Sequence, residues 1–154
     1  MNHEERFAAL NLELPPPPKA MGLYRPIVVV DRLAYLSGHG PVKNDNTMVC
    51  GRLGDDLDTD AGFEAARRTG LAMLATLKAH CGTLDGVKRL VKTFGLVQAT
   101  PEFNEQPAVI NGFSQLMKDV FGEADGIGAR SAVGTDSLPA GWAVEIEAIF
   151  ELAN

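Results

Sequence analysis

Residues 128–149 read GARSAVGTDSLPAGWAVEIEAI. Apolar side chains alternate at both ends of this stretch, and the Asp, Ser, Pro and Gly between them are the punctuation of a turn. The pattern predicts two strands joined as a hairpin. Along the second strand Val144, Ile146, Ala148 and Phe150 share one face, and Ala143, Glu145, Glu147, Ile149 and Glu151 share the other. Apolar residues on both faces predict a sheet whose second face is buried by self-association. Two charges stand out: Arg130 at the head of the first strand and Glu145 in the second. Small neighbours (Gly128, Ala129, Ser131, Ala132) leave room around the Arg130 guanidinium, a planar fork suited to bidentate binding of a carboxylate. Glu145, taken alone, reads equally well as a surface charge or as a structural ion-pair partner of Arg130.

Upstream, Phe63, Ala66, Gly70, Leu71, Leu74, Leu77 and Cys81 fall on one stripe at helical spacing. Asp58 or Thr59 caps this helix, and Gly82 ends it. Gly70 within the stripe predicts close approach to a sheet. Val87–Gln98 reads as a strand. A second helix follows, with Val109, Ile110, Phe113, Leu116, Met117, Val120 and Phe121 as its stripe. Ile27–Val30 and Leu33–Ser37 are β-rich runs separated by two residues, and Thr47–Leu53 is a further short strand candidate. The predicted order is β-β-β-α-β-α-β-β. About six strands and two amphipathic helices give an α+β fold, a mixed sheet backed by helices on one face. Residues 1–154 form a single domain, with residues 1–20 as an N-terminal arm. In that arm residues 3–13 form a short helix, and Pro15–Pro18 stop it and favour an extended course.

Bulk properties narrow the function. The 154 residues are 45% apolar and 22% charged, globular values that leave enough chain for a core. The net charge of −6 disfavours nucleic acid as a partner, because phosphate binding needs a basic surface. No apolar run is long enough to span a membrane, and the polar, acidic start carries no secretory signal, so a cytoplasmic location is expected. Asp56, Asp58 and Asp60 begin like a calcium loop, but Ala61 and Arg67 occupy its glycine and closing glutamate positions. His3, His39 and His80 share no metal-ligand spacing, and Cys50 and Cys81 make no disulfide framework. Tyr24, Ser37 and Asn111 remain as isolated polar residues on elements or at their ends. Each has an ordinary reading, as a rim residue, turn chemistry and a solvated helix position.

The residues together resemble the Rid family, the YjgF-like reactive-intermediate (imine/enamine) deaminases, also labelled endoribonuclease L-PSP. That family's C-terminal signature maps onto Arg130, Ser131, Val133, Leu138, Pro139, Val144, Glu145, Ile146, Glu147 and Ala148. The segment YLSGHGPV (Tyr35–Val42) resembles its Ser-Gly-Gln-x-Pro segment, with His39 in place of Gln. Tyr24 matches its active-site tyrosine, and Asn111 its helical asparagine. Gly128, Ala132, Asp136, the loop before Arg130 and the longer arm depart from the usual pattern and mark a divergent branch. The resemblance implies a chorismate-mutase-like sheet that trimerises into a barrel with sites between subunits. It implies hydrolysis of 2-imino acids, or their 2-aminoacrylate tautomers, to 2-oxo acids and ammonia without metal or organic cofactor. Arg130 would hold the substrate carboxylate. Glu145 and the Ala132 carbonyl would position a water, while Tyr24, Ser37 and Asn111 shape the pocket. A non-catalytic, carboxylate-binding or regulatory trimer is the alternative, followed by an endoribonuclease or translation inhibitor.

Overall fold

A computed structural model describes residues 1–154. Its elements, in chain order, are α1 (His3–Ala9), β1 (Ile27–Val30), β2 (Leu33–His39), α2 (Thr59–Cys81), β3 (Val87–Gln98), α3 (Gln106–Phe121), α4 (Glu123–Gly126), β4 (Ala129–Thr135) and β5 (Val144–Leu152). The strands form one sheet in the order β1-β2-β5-β3-β4, with β3 and β4 parallel and all other neighbours antiparallel. This is the mixed sheet with helices on one face that the sequence predicts.

Two expectations about the strands change. Residues 128–149 do not form a hairpin, because β3 lies between β4 and β5. The chain leaves β3, runs through α3 and returns as β4, and such a crossover makes β4 a parallel neighbour of β3. Only the other edge of β3 is then free for β5, and the linker of residues 136–143 spans the strand between. Thr47–Leu53 is not a strand either. Its segment makes only isolated bridges, Val42 to Met48, Cys50 to Trp142, and Leu53 to both Leu57 and Ala99, so the sheet has five strands.

The helices form as their sequences dictate. Asp58 caps α2 by accepting from the Ala61 N–H at 2.8 Å, and Gly82 closes it in the left-handed region at φ 80°. The acidic triplet is therefore explained by capping and turn chemistry, Asp56 accepting from the Arg52 N–H at 3.0 Å. The core lies between the two long helices and the face of the sheet that carries Val144, Ile146, Ala148 and Phe150, all buried. Gly70 permits close approach, but to a helix: a Cβ there would lie 2.8 Å from Leu116 Cδ2 of α3. The other sheet face is bare and partly apolar, with Val28, Val30 and Tyr35 about half exposed and Phe94 and Ile149 beside a shallow cavity.

Candidate functional site

Strand parity places Arg130 and Glu145 apart. Arg130 pairs with Thr93 of β3, and Glu145 pairs with Leu96. Those two β3 positions are three apart in a stretch of regular register. Successive side chains alternate faces, so an odd separation puts Arg130 and Glu145 on opposite faces of the sheet. The structural ion pair between them does not exist, and no acid lies within salt-bridge distance of Arg130.

Arg130 is oriented by α3. Its Nη1 donates to Asn111 Oδ1 at 2.7 Å and to Ser114 Oγ at 3.2 Å. These two residues are one helical turn apart and present their oxygens on one face. Asn111 is thus no mere solvated helix residue. The guanidinium has five N–H donors, and the remaining ones have no partner within the chain. They face a cleft of about 430 Å³ shared with Thr93, Gln115 and Lys118. The chemistry available there is capture of an anion, above all a planar carboxylate.

Glu145 belongs to a second group at the opposite face. It shares a cavity of about 470 Å³ with Tyr24, Ser37, Gly38, Met21 and Trp142. Its carboxylate lies where a side chain on residue 38 would stand, a Cβ there falling 2.8 Å from Glu145 Cδ. A side chain at position 38 would therefore displace the Glu145 carboxylate from this position. Partial burial, then the like charge of Glu147 two residues on, push the Glu145 carboxyl above the usual carboxylate range. Ser37 Oγ donates to the Arg25 carbonyl at 2.6 Å, which fixes the loop that carries Tyr24, and the Tyr24 hydroxyl accepts from the Met21 N–H at 3.2 Å.

The structure thus sorts the expected residues into two groups. Arg130 and Asn111 form one; Tyr24, Ser37 and Glu145 form the other. Ala132 lines neither cavity and sits on β4 beside Gly95 of β3. Sequence reading did not single out Ser114, whose signal was its spacing of three from Asn111. Nor did it assign site roles to Gly38, Met21 or the lone Trp142. His39, noted only as a departure, is buried behind Ser37: its Nδ1 lies 2.6 Å from the Ser37 carbonyl and its Nε2 2.8 Å from Thr76 Oγ1. No three His, Cys, Asp or Glu side chains come together as a metal site. No helix is long and apolar enough to cross a membrane.

The model of the YjgF/chorismate mutase-like family, whose description adds candidate endoribonuclease, matches residues 4–140. The chain belongs to this family. Protein TCP17 of Trypanosoma cruzi is 42% identical over 120 residues, 78% of this chain and 75% of that protein. The crystal structure of Atu1372 from Agrobacterium tumefaciens, a protein of unknown function, is 38% identical with a TM-score of 0.88, over 98% of this chain and 94% of that one. A candidate endoribonuclease from Shewanella oneidensis superposes with a TM-score of 0.94 at 28% identity, over 99% and 100% of the two chains. The YjgF/chorismate mutase-like assignment agrees with the mixed sheet and its two backing helices.

Proposed function

We propose that the protein hydrolyses 2-imino acids, or their 2-aminoacrylate tautomers, to 2-oxo acids and ammonia. The observation that carries this reading is Arg130, a guanidinium held by Asn111 and Ser114 with no acid of its own chain to neutralise it. A substrate carboxylate supplies the missing charge partner. Glu145, partly desolvated and with its carboxyl raised above the ordinary value, is suited to take a proton from water and return it to nitrogen. Water adds to the imine carbon to give a carbinolamine. Proton transfer from oxygen to nitrogen then lets the C–N bond break, ammonia leaves, and the 2-oxo acid remains. No oxidant or reductant is consumed. Holding carboxylate and water in place supplies much of the acceleration.

Because one chain places Arg130 and Glu145 on opposite sheet faces, the reading requires that copies associate, as a homotrimer with each site built from two subunits. The bare apolar sheet face supports this association. An endoribonuclease reading finds less support. The chain carries a net charge of −6, His39 is buried with both ring nitrogens engaged, and His3 and His80 lie on α1 and near the end of α2. His39 is therefore not free to serve as a general acid or base in RNA cleavage.

The test is 2-iminobutyrate generated in situ and trapped with semicarbazide. Wild type should suppress semicarbazone formation. Arg130→Ala should lose about 3 kcal/mol of transition-state binding, roughly 10²-fold in kcat/KM, because a substrate charge is left unpaired. Equal hydrolysis by both proteins would sink the reading. Binding of 2-oxobutyrate without any turnover would favour a carboxylate-binding module instead.

A further inference from the structure

The N-terminal arm has no role in the chemistry above, yet it is held firmly at both ends. At its start Phe7 is buried, and Glu4 accepts from the Leu84 N–H at 2.7 Å and from Lys78 Nζ at 2.9 Å. Just beyond its far end the Ser37 hydroxyl fixes the Arg25 carbonyl beside Tyr24. Between these anchors run four prolines, Pro15–Pro18, whose locked φ and missing N–H groups make a stiff wall without donors.

That wall encloses a cavity. Pro16–Pro18 face Val42, Met48 and Trp142 across a space of about 400 Å³. Benzene fits a cavity of about 150 Å³, so there is room for an aromatic ring or a branched aliphatic chain. No carboxylate lines this space, and Lys19 is its only Lys or Arg. It adjoins the Glu145 cavity through four shared residues, Met21, Tyr24, Gly38 and Trp142. Met21 is 85% exposed, a flexible apolar side chain unpartnered where the two spaces meet. Tyr24, His39 and Asn46 add polar groups to the lining, but most of its surface is apolar, and its ordinary preference is for a mainly apolar group.

We infer that the arm, with Met21, Met48 and Trp142, forms a specificity pocket for a bulky apolar substituent of the substrate. The inference rests on the hydrolytic reading of the Glu145 site and names its substrate class: 2-imino acids with aromatic or branched aliphatic side chains. The smallest imino acids leave the pocket empty.

The experiment compares imines generated in situ from phenylalanine, leucine, alanine and glutamate by an amino-acid oxidase or dehydrogenase, with semicarbazide as trap. Wild type should show kcat/KM at least tenfold higher for the phenylalanine and leucine imines than for the alanine imine, in line with what an apolar pocket discriminates. Met21→Ala should lower that ratio at least threefold, and its exposure means the fold does not depend on it. Trp142→Ala should lower it further. Hydrolysis with no preference for bulk, or with the glutamate imine preferred, overturns the pocket and leaves the hydrolytic reading standing. If no imine is hydrolysed, binding of phenylpyruvate and pyruvate is measured by calorimetry. Tighter phenylpyruvate binding that Met21→Ala weakens keeps the pocket and overturns hydrolysis. Equal or absent binding overturns both.

Discussion

Glu145 shows how one residue can be poor for stability and, in the hydrolytic reading, useful for chemistry. Burial and then Glu147 raise its carboxyl in the folded protein. Between the unfolded and folded values the native state binds more protons than the unfolded state, so this group's contribution to stability falls as pH rises through that window. Glu145→Gln should therefore raise the melting temperature at neutral pH and leave it nearly unchanged below the ordinary carboxylate range. In the hydrolytic reading the same substitution removes the base, and kcat should fall by about 10²–10⁴-fold. Wild-type activity should decline on acidification at a pH above that of an ordinary glutamate. Thermal melts and pH–rate profiles of both proteins check this. A glutamine variant that is less stable at pH 7 than at pH 3, relative to wild type, would contradict the argument.

At the scale of elements, the end of β2 is fixed to α2 through a single ring. His39 lies behind Ser37 and Gly38, and its imidazole joins the Ser37 carbonyl to the Thr76 hydroxyl. Burial, opposed by the bond to Ser37, keeps it below the ordinary histidine value and neutral at pH 7. As pH falls through the ordinary histidine range, near 6.5, the unfolded chain takes up a proton first and wild-type stability is lost. His39→Gln keeps a donor and an acceptor without the titration, so its melting temperature should fall less between pH 8 and pH 5. Identical slopes would show that this ring does not set the dependence. His39 also marks what the sequence makes legible. The helix stripes, the caps and the alternation of β5 follow from spacing alone, because each depends on residues close in the chain. The hairpin expected at residues 128–149 does not form, since partners in a sheet are chosen by topology: the crossover through α3 places β3 between two strands that look adjacent in sequence. The role of His39 was illegible for the same reason, as Thr76 is 37 residues away. Asn111 and Ser114 were within reach of reading, being one turn apart on one helix.

At the scale of the whole molecule, the hydrolytic reading makes a prediction that no single chain can satisfy. Arg130 and Glu145 flank β3 on opposite faces, so a working site built from both takes Arg130 from one copy and Glu145 from another. Ile149→Glu, which puts a charge on the bare face beside Glu147, should shift the protein toward monomer in light scattering and abolish hydrolysis in the same step. Mixing tests the geometry more sharply. Arg130→Ala and Glu145→Gln are each expected to keep about 1% of wild-type activity or less as homo-oligomers. After the two are denatured and refolded together in equal amounts, about one quarter of the shared sites in a randomly assembled cyclic oligomer receive both intact residues. Activity should then recover to about one quarter of wild type, while variants refolded separately and then combined recover only as fast as subunits exchange. A site contained in one chain would recover nothing, because every chain in the mixture carries one of the two lesions. Recovery near one quarter thus requires two copies per site, and its absence in a mixture shown to contain hetero-oligomers would reject the shared site even if the wild type is an active trimer.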